Sequence, residues 1–162
     1  MIDHNRALVV LGFSETSRRL LEYAGRHAQE CDVELILLTI MPTSEFQERD
    51  RARLAIPHVE KSYTVGEAEE EGVRHAKRLA REALEGFDVS YEIESHVGRQ
   101  ASLVLERARD RDCSTIFMAG HRNGPWQNTT FDNVMAEVVS AFEGPVTVMM
   151  GPERDRDIGN SV

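Results

Sequence analysis

The segment from Gly120 to Asn133 carries the residues best suited to bind a ligand. It begins Gly120-His121-Arg122-Asn123-Gly124 directly after a short apolar run, and it ends where a segment of helical period begins. Glycine and asparagine allow main-chain amides to turn towards a ligand, and an arginine adds positive charge. Main-chain amides at a helix N-terminus also bind anions. The segment therefore predicts an anion-binding loop, and solvent-facing loop residues are the alternative interpretation of His121 and Arg122.

Other reactive side chains give weaker indications. Ser14 follows a predicted strand but lacks the Gly-x-Ser-x-Gly pattern of a nucleophile elbow, so we interpret it as a helix cap. Cys31 and Cys113 belong to no Cys-x-x-Cys or Cys/His spacing, and we expect reduced, packed thiols and no metal site. Trp126 is the only tryptophan, and it can either pack under its loop or stack on a base.

The composition argues against several classes of partner. The chain has 162 residues, about one domain, and a formal net charge of −9. Because phosphate attraction dominates nucleic-acid affinity, this charge argues against a general basic binding face. Only Lys61 and Lys77 among the 19 basic residues are lysines, which suits a salt-rich cytoplasm, although GC-rich coding gives the same bias. No apolar run approaches the roughly 20 residues of a membrane span, and the start lacks a signal-peptide pattern, so we expect a cytoplasmic protein without membrane partners.

Short apolar runs alternate with segments of helical period along the chain. The runs predict strands and the periodic segments predict helices. Strands are predicted at 7–11, 33–40, 89–97, 114–119 and 146–150, and helices at 16–30, 66–86, 100–111 and 131–142, with a further short helix near 45–54. The alternating polar and apolar residues at 89–97 indicate an edge strand. In the last helix we expect Val134, Met135, Val138, Val139 and Ala141 to be core.

This alternation predicts an α/β fold, a three-layer α/β/α sandwich built on a five-stranded parallel sheet. Residues 1–150 form the predicted single domain, and residues 151–162 form a polar C-terminal tail. In open α/β sheets, ligands bind outside the carboxyl ends of the strands. The loop that follows the fourth strand should lie there.

Five short motifs resemble those of the universal stress protein family. They are Ser14-Glu15-Thr16-Ser17, Leu21-Glu22-Tyr23-Ala24, Gly98-Arg99-Gln100-Ala101, Met118-Ala119-Gly120-His121 and Gly144-Pro145-Val146-Thr147-Val148. Their order and distances match the family over about residues 5–150. The resemblance implies a Rossmann-like sheet of order 3-2-1-4-5, a cleft between the first and fourth strands, and a homodimer formed through the last strand.

The resemblance also implies where a nucleotide would bind. Members that bind ATP share a loop of form Gly-x2-Gly-x9-Gly-Ser/Thr and an aspartate that closes the first strand. Carried onto this chain, the degenerate binding residues are Leu11, Gly12, Ile40, Gly120, Arg122, Asn123, Gly124, Asp132, Asn133 and Val134.

Several of these residues depart from the family pattern. Gly120 matches the first glycine, but Asn123 stands at the second, and Asp132-Asn133 stand at the final Gly-Ser/Thr, one residue early. Gly12 replaces the aspartate. A side chain at the last glycine obstructs a phosphate, and the carboxylate of Asp132 repels it. We therefore expect an altered pocket and no cofactor, with retained ATP as the alternative.

Two functions follow from this pattern. The first is a non-catalytic stress-response adaptor or regulator with an unknown protein partner. The second is a sensor that binds ATP, AMP or another anion in the cleft between strands 1 and 4. An enzyme is disfavoured, because the chain lacks the Ser-Gly-Gly-x-Asp-Ser and His-x-Gly-His signatures and an acidic pair for Mg²⁺.

The last strand predicts self-association. An apolar strand at a sheet edge exposes unpaired main-chain groups unless another strand covers them. Pairing with its own copy is the simplest cover, so we expect a homodimer. The predicted interface is Val146, Thr147, Val148, Met149 and Met150.

Overall fold

A computed structural model describes residues 5–58, 61–122 and 133–153 of the chain. Strands and helices alternate along these residues. The strands are β1 (Arg6–Leu11), β2 (Glu34–Pro42), β3 (Tyr91–Gly98), β4 (Cys113–Arg122) and β5 (Val146–Glu153). The helices are α1 (Glu15–Cys31), α2 (Thr43–Leu54), α3 (Val65–Ala83), α4 (Gln100–Asp110) and α5 (Asn133–Ala141). The short helix expected near 45–54 is present as α2.

The five strands form one parallel sheet of order β3-β2-β1-β4-β5. This confirms the predicted fold class and strand order, and it places β3 at one edge, as its alternating sequence predicts. β1 lies in the centre, where Ala7, Leu8 and Val9 are fully buried. Because β1 pairs with both β2 and β4, its carboxyl end at Leu11 is the point where the strand order reverses.

Helices cover the sheet on both faces and create two cores. Successive residues of a strand point to opposite faces, so Ala7 and Val9 pack with residues of α1 and α3, whereas Leu8 packs with residues of α4 and α5. The first core includes Leu20, Leu21, Ala24, Ala76 and Ala80, and the second includes Ala101, Val104, Ala108, Met135 and Val138. None of the helices in the described ranges has the length and hydropathy of a membrane span.

Local hydrogen bonds fix where the helices begin and end. The Ser14 hydroxyl accepts a hydrogen bond from the main-chain amide of Ser17 at 3.3 Å, which confirms Ser14 as the cap of α1. Thr64 caps α3 in the same way, accepting from the amide of Glu67 at 3.1 Å. Asp32 ends α1 in the left-handed region, with φ 54°. Of these three terminal residues, the sequence analysis identified Ser14, and the structure adds Thr64 and Asp32.

The last two strands are longer than the apolar runs predict. β4 continues past Ala119 to Arg122, and β5 continues past Met150 to Glu153. The two extensions pair with each other, since His121 pairs with Gly151 and Arg122 pairs with Glu153. The start of the expected C-terminal tail is thus part of the sheet, and residues 154–162 lie outside the described residues.

Three predicted core positions are corrected by the structure. Val139 is 45% exposed and Ala141 is exposed, because α5 covers the sheet with one face only and buries Met135 and Val138. Cys31 is also exposed, because it ends α1 at the surface. Cys113 is buried, and burial raises the pKa of its thiol to about 11.

Candidate functional site

A cleft of about 260 Å³ opens between the carboxyl ends of β1 and β4. It lies where the strand order reverses, which is the usual ligand position in open α/β sheets. Its wall combines strand ends with the first turns of helices. The described lining consists of Val10, Leu11, Gly12, Phe13, Ser14, Ser17, Ile40, Pro42, Glu45, Gln100, Val104, Met118, Ala119, Val134 and Met135.

The turn after β1 forms one side of the cleft and is fixed from two helices. The amide of Gly12 donates to the hydroxyl of Ser17 at 2.8 Å. The carbonyl of Gly12 accepts a hydrogen bond from Nε2 of His75 at 2.7 Å. Since a carbonyl oxygen only accepts, Nε2 must carry the proton. Both main-chain polar groups of Gly12 are therefore engaged within the fold.

His75 reaches this turn from α3. Its side chain is buried, with 9% relative exposure, and its ring stacks on Phe13 with 4.0 Å between ring centroids and 19° between planes. Burial lowers the pKa of His75, an effect opposed by its hydrogen bond to Gly12 and increased by the positive charge of Arg78. A neutral imidazole thus stabilises the turn at the end of the central strand by a hydrogen bond and a ring contact.

The charge of the cleft comes from α2. Glu45 is the one charged side chain among the described lining residues. Its Oε1 accepts a hydrogen bond from Arg49 at 3.1 Å, one turn further along α2. The described lining therefore offers no cationic side chain to a phosphate, and the ion pair with Arg49 reduces but does not remove the negative charge of this wall.

A second cavity of about 320 Å³ adjoins the cleft near the starts of α4 and α5. Arg99 and Asn133 are among its lining residues. The guanidinium of Arg99 donates two hydrogen bonds to the carboxylate of Glu137, and it also donates to the hydroxyl of Ser102 at 2.7 Å. The hydrogen bond from Arg99 lowers the pKa of Glu137. The positive charge beside this cavity is thus already paired.

The structure brings four of the predicted site residues to one place. Leu11, Gly12, Ile40 and Val134 line the cleft, and Asn133 lines the adjoining cavity. Gly120 lies within β4, where a Cβ would come within 2.7 Å of Met135 Cε and 2.9 Å of Met150 Sδ. The missing side chain at Gly120 therefore serves close packing.

The remaining predicted residues lie outside the described part of the chain. Asn123, Gly124 and Asp132 belong to the undescribed segment 123–132, as does Trp126. Arg122 ends β4, and its side chain and that of His121 also lie outside the described residues.

Three residues shape the cleft without any motif that would have identified them. Phe13 and His75 meet only because α3 packs beside the end of β1, and isolated histidines carry no spacing signal. Glu45 belongs to a segment without helical period, so its direction into the cleft was not predictable. Within residues 5–58, 61–122 and 133–153, no group of three His, Cys, Asp or Glu side chains is suited to hold a metal ion.

Comparisons with known proteins agree on the family and the fold. A model of the universal stress protein family matches residues 4–149. Among curated protein sequences, no significant match is found.

Solved structures of low sequence identity share this architecture. The universal stress protein UspA from Lactobacillus plantarum is 13% identical with a TM-score of 0.65, and the alignment covers 92% of this chain and 99% of that chain. A universal stress protein in complex with cAMP is 18% identical with a TM-score of 0.60, covering 91% and 97%. One from Archaeoglobus fulgidus in complex with dAMP is 16% identical with a TM-score of 0.56, covering 91% and 98%. At these identities the likeness shows the shared fold.

Proposed function

The chain belongs to the universal stress protein family, and we propose that it is a non-catalytic, dimeric stress-response regulator whose nucleotide pocket is altered. The supporting observation is the charge of the cleft, where the carboxylate of Glu45 is the one charged group in the described lining. A triphosphate is normally bound by cations and free main-chain amides. The described lining offers no cation, and Glu45, although paired with Arg49, places a carboxylate there instead.

The end of β1 supports the same proposal. Gly12 offers no side-chain acceptor to a base or sugar, and its amide and carbonyl already bond Ser17 and His75. A ligand could use only the remaining lone pair of this carbonyl. Together with the carboxylate of Asp132 in the loop sequence, this disfavours ATP.

A small-ligand sensor is the second candidate. The cleft keeps a volume of about 260 Å³, and two solved universal stress proteins are complexes with cAMP and with dAMP. Both of those ligands carry a single phosphate. A monophosphate or a nucleoside would meet less repulsion from Glu45 than ATP would.

Nucleotide analysis separates the two candidates. The purified protein is denatured and the supernatant is analysed for nucleotides, and the intact protein is titrated with ATP, AMP, cAMP and adenosine by calorimetry. The regulator proposal expects no released nucleotide and no binding of millimolar ATP. Released or titratable ATP, AMP, cAMP or adenosine would instead support the sensor, and ATP hydrolysis would contradict both.

A variant pair tests the role assigned to Glu45. Glu45→Gln keeps the size of the side chain and removes its charge, so weak nucleotide binding should become measurable if this carboxylate repels phosphates. Glu48→Gln on the same helix is the matched control, because Glu48 is exposed and does not line the described cleft. Equal nucleotide binding by both variants would show that the carboxylate of Glu45 does not repel phosphates.

The dimer is proposed through β5, which lies at the edge of the sheet. Its far side has no neighbouring strand among the described residues, so pairing with a second copy would satisfy the main-chain groups there. Light scattering after size exclusion should give twice the 18.3 kDa chain mass. A monomer at both physiological and high salt would refute this part. We propose the cytoplasm as its location, to be tested by cell fractionation.

A further inference from the structure

Helix α2 borders the cleft yet buries none of its residues. Glu45 in its first turn lines the cleft, together with Pro42 just before the helix. Pro42 provides no side-chain cap. Since helices in proteins are mostly stabilised by packing of an apolar face, α2 must be held in another way.

Ion pairs connect α2 to α3. Arg49 Nη1 donates to Glu71 Oε2 at 2.8 Å, and Arg53 Nη1 donates to Glu67 Oε2 at 2.6 Å. The four side chains are 31–43% exposed. At this exposure, salt in the solvent screens the attraction.

Tyr63, which precedes α3, adds a second set of contacts. Its amide donates to Asp50 Oδ1 at 2.9 Å, and its hydroxyl donates to Glu71 Oε2 at 3.0 Å. Its ring lies 5.4 Å from that of Phe46, between centroids, and the guanidinium of Arg53 lies 5.0 Å from its centroid. The attachment of α2 is therefore largely polar and lies on the outside of the molecule.

We propose that α2 is a flap over the β1–β4 cleft, held closed by the Arg49–Glu71 and Arg53–Glu67 ion pairs. When the pairs are screened or removed, α2 separates from α3 and moves Glu45 away from the cleft wall. Access to the cleft then depends on ionic strength. The motion of α2 is independent of the proposed regulatory role and occurs whichever ligand the cleft takes.

Hydrogen exchange tests the attachment. Exchange of the α2 amides, residues 43–54, is measured by mass spectrometry at 0.1 and 1 M KCl. The double variant Arg49→Gln/Arg53→Gln should exchange roughly fivefold faster than wild type at low salt, as expected for the loss of two exposed ion pairs. Wild type should approach that rate at high salt.

Arg51→Gln is the matched control. Arg51 is exposed on the same helix and makes no ion pair in the described part of the chain, so its substitution removes one positive charge from α2 without breaking an attachment. It should exchange like wild type. If the double variant does so as well, the ion pairs do not hold α2 and the proposal fails.

Thiol labelling tests access to the cleft itself. Ala119→Cys places a thiol in the cleft wall, and the exposed Cys31 outside the cleft reports the effect of salt on the reagent. Relative to Cys31, labelling of the introduced thiol should accelerate with KCl and in the Arg49→Gln/Arg53→Gln background. If α2 exchanges faster while this relative labelling rate stays constant, α2 does not control the cleft and the flap is refuted.

Discussion

His75 is a single residue on which the wall of the cleft depends. Desolvation lowers its pKa in the folded protein, so the folded state holds the neutral imidazole while the unfolded chain takes up a proton near pH 6.5. Stability is therefore fully present above about pH 6.5 and falls as the pH drops towards the lower folded pKa, because the unfolded state then binds more protons.

A substitution at His75 should reveal this contribution. His75→Gln retains a donor for the carbonyl of Gly12 but does not titrate, so its free energy of unfolding should change less than that of wild type between pH 7.5 and 5.5. Urea unfolding at each pH measures the difference. His58→Asn, at an exposed histidine with φ 71°, is the control and should keep the wild-type slope. Parallel slopes for all three proteins would contradict the role of His75.

Among single residues, those with a local role were predictable from the sequence. Ser14 caps α1 because its hydroxyl lies three residues before an amide of its own helix, a relation that the sequence contains. The contact of His75 with Gly12 joins residues 63 positions apart, and only the packing of α3 beside β1 creates it. The cleft wall likewise combines residues from distant parts of the chain.

At the scale of elements, α3 approaches the sheet closely because residue 72 is glycine. A Cβ there would overlap the hydroxyls of Thr39 on β2 and Ser95 on β3. The Thr39 hydroxyl is buried and has no hydrogen-bond partner among the described residues. The helical period of α3 was visible in the sequence, but the closeness of its contact was not, since a glycine within a helix has several explanations.

Gly72→Ala should therefore destabilise the protein by up to about 2 kcal/mol, because overpacking costs about 1–3 kcal/mol and alanine favours a helix by roughly 1 kcal/mol. Gly66→Ala on the same helix is the control, since the nearest atom to its Cβ would be Thr64 Oγ1 at 3.8 Å. That variant should be neutral or stabilised by up to about 1 kcal/mol. Urea midpoints measure both, and equal midpoints would mean that α3 can shift to accept the methyl group.

At the scale of the whole molecule, the order of strands and helices was predictable because each element shows its own period. The layered arrangement of these elements and the path of the chain between them then follow from the general rules for parallel sheets. Helix α2 was expected near 45–54, but how it attaches to the rest of the fold was not predictable. The helix has no apolar face to give a period and is held by side chains of α3 and Tyr63 that the sequence alone does not bring together.

The net charge of −9 sets the response of the whole molecule to salt. Salt screens both the repulsion among excess carboxylates and the attraction within exposed ion pairs, which are worth about 0.2–1 kcal/mol each. Because the acidic residues number 28 against 19 basic ones, relief of repulsion should dominate overall. We expect the thermal midpoint to rise by roughly 2–4 °C between 0.1 and 1 M KCl, as for a gain of about 1 kcal/mol.

Helix α2 should respond to salt in the opposite direction from the whole molecule. The KCl concentration that raises the thermal midpoint should weaken the attachment of α2 and so accelerate exchange of its amides. The variant Glu30→Gln/Glu85→Gln removes two exposed carboxylates that make no ion pair within the described ranges, so its midpoint should rise less with KCl than that of wild type. Exchange of α2 should be unaffected by that variant, because neither residue has a hydrogen bond or ion pair to that helix within the described ranges. A midpoint that is flat or falls with KCl in the wild type would show that the ion pairs, rather than the excess charge, dominate the stability of the fold.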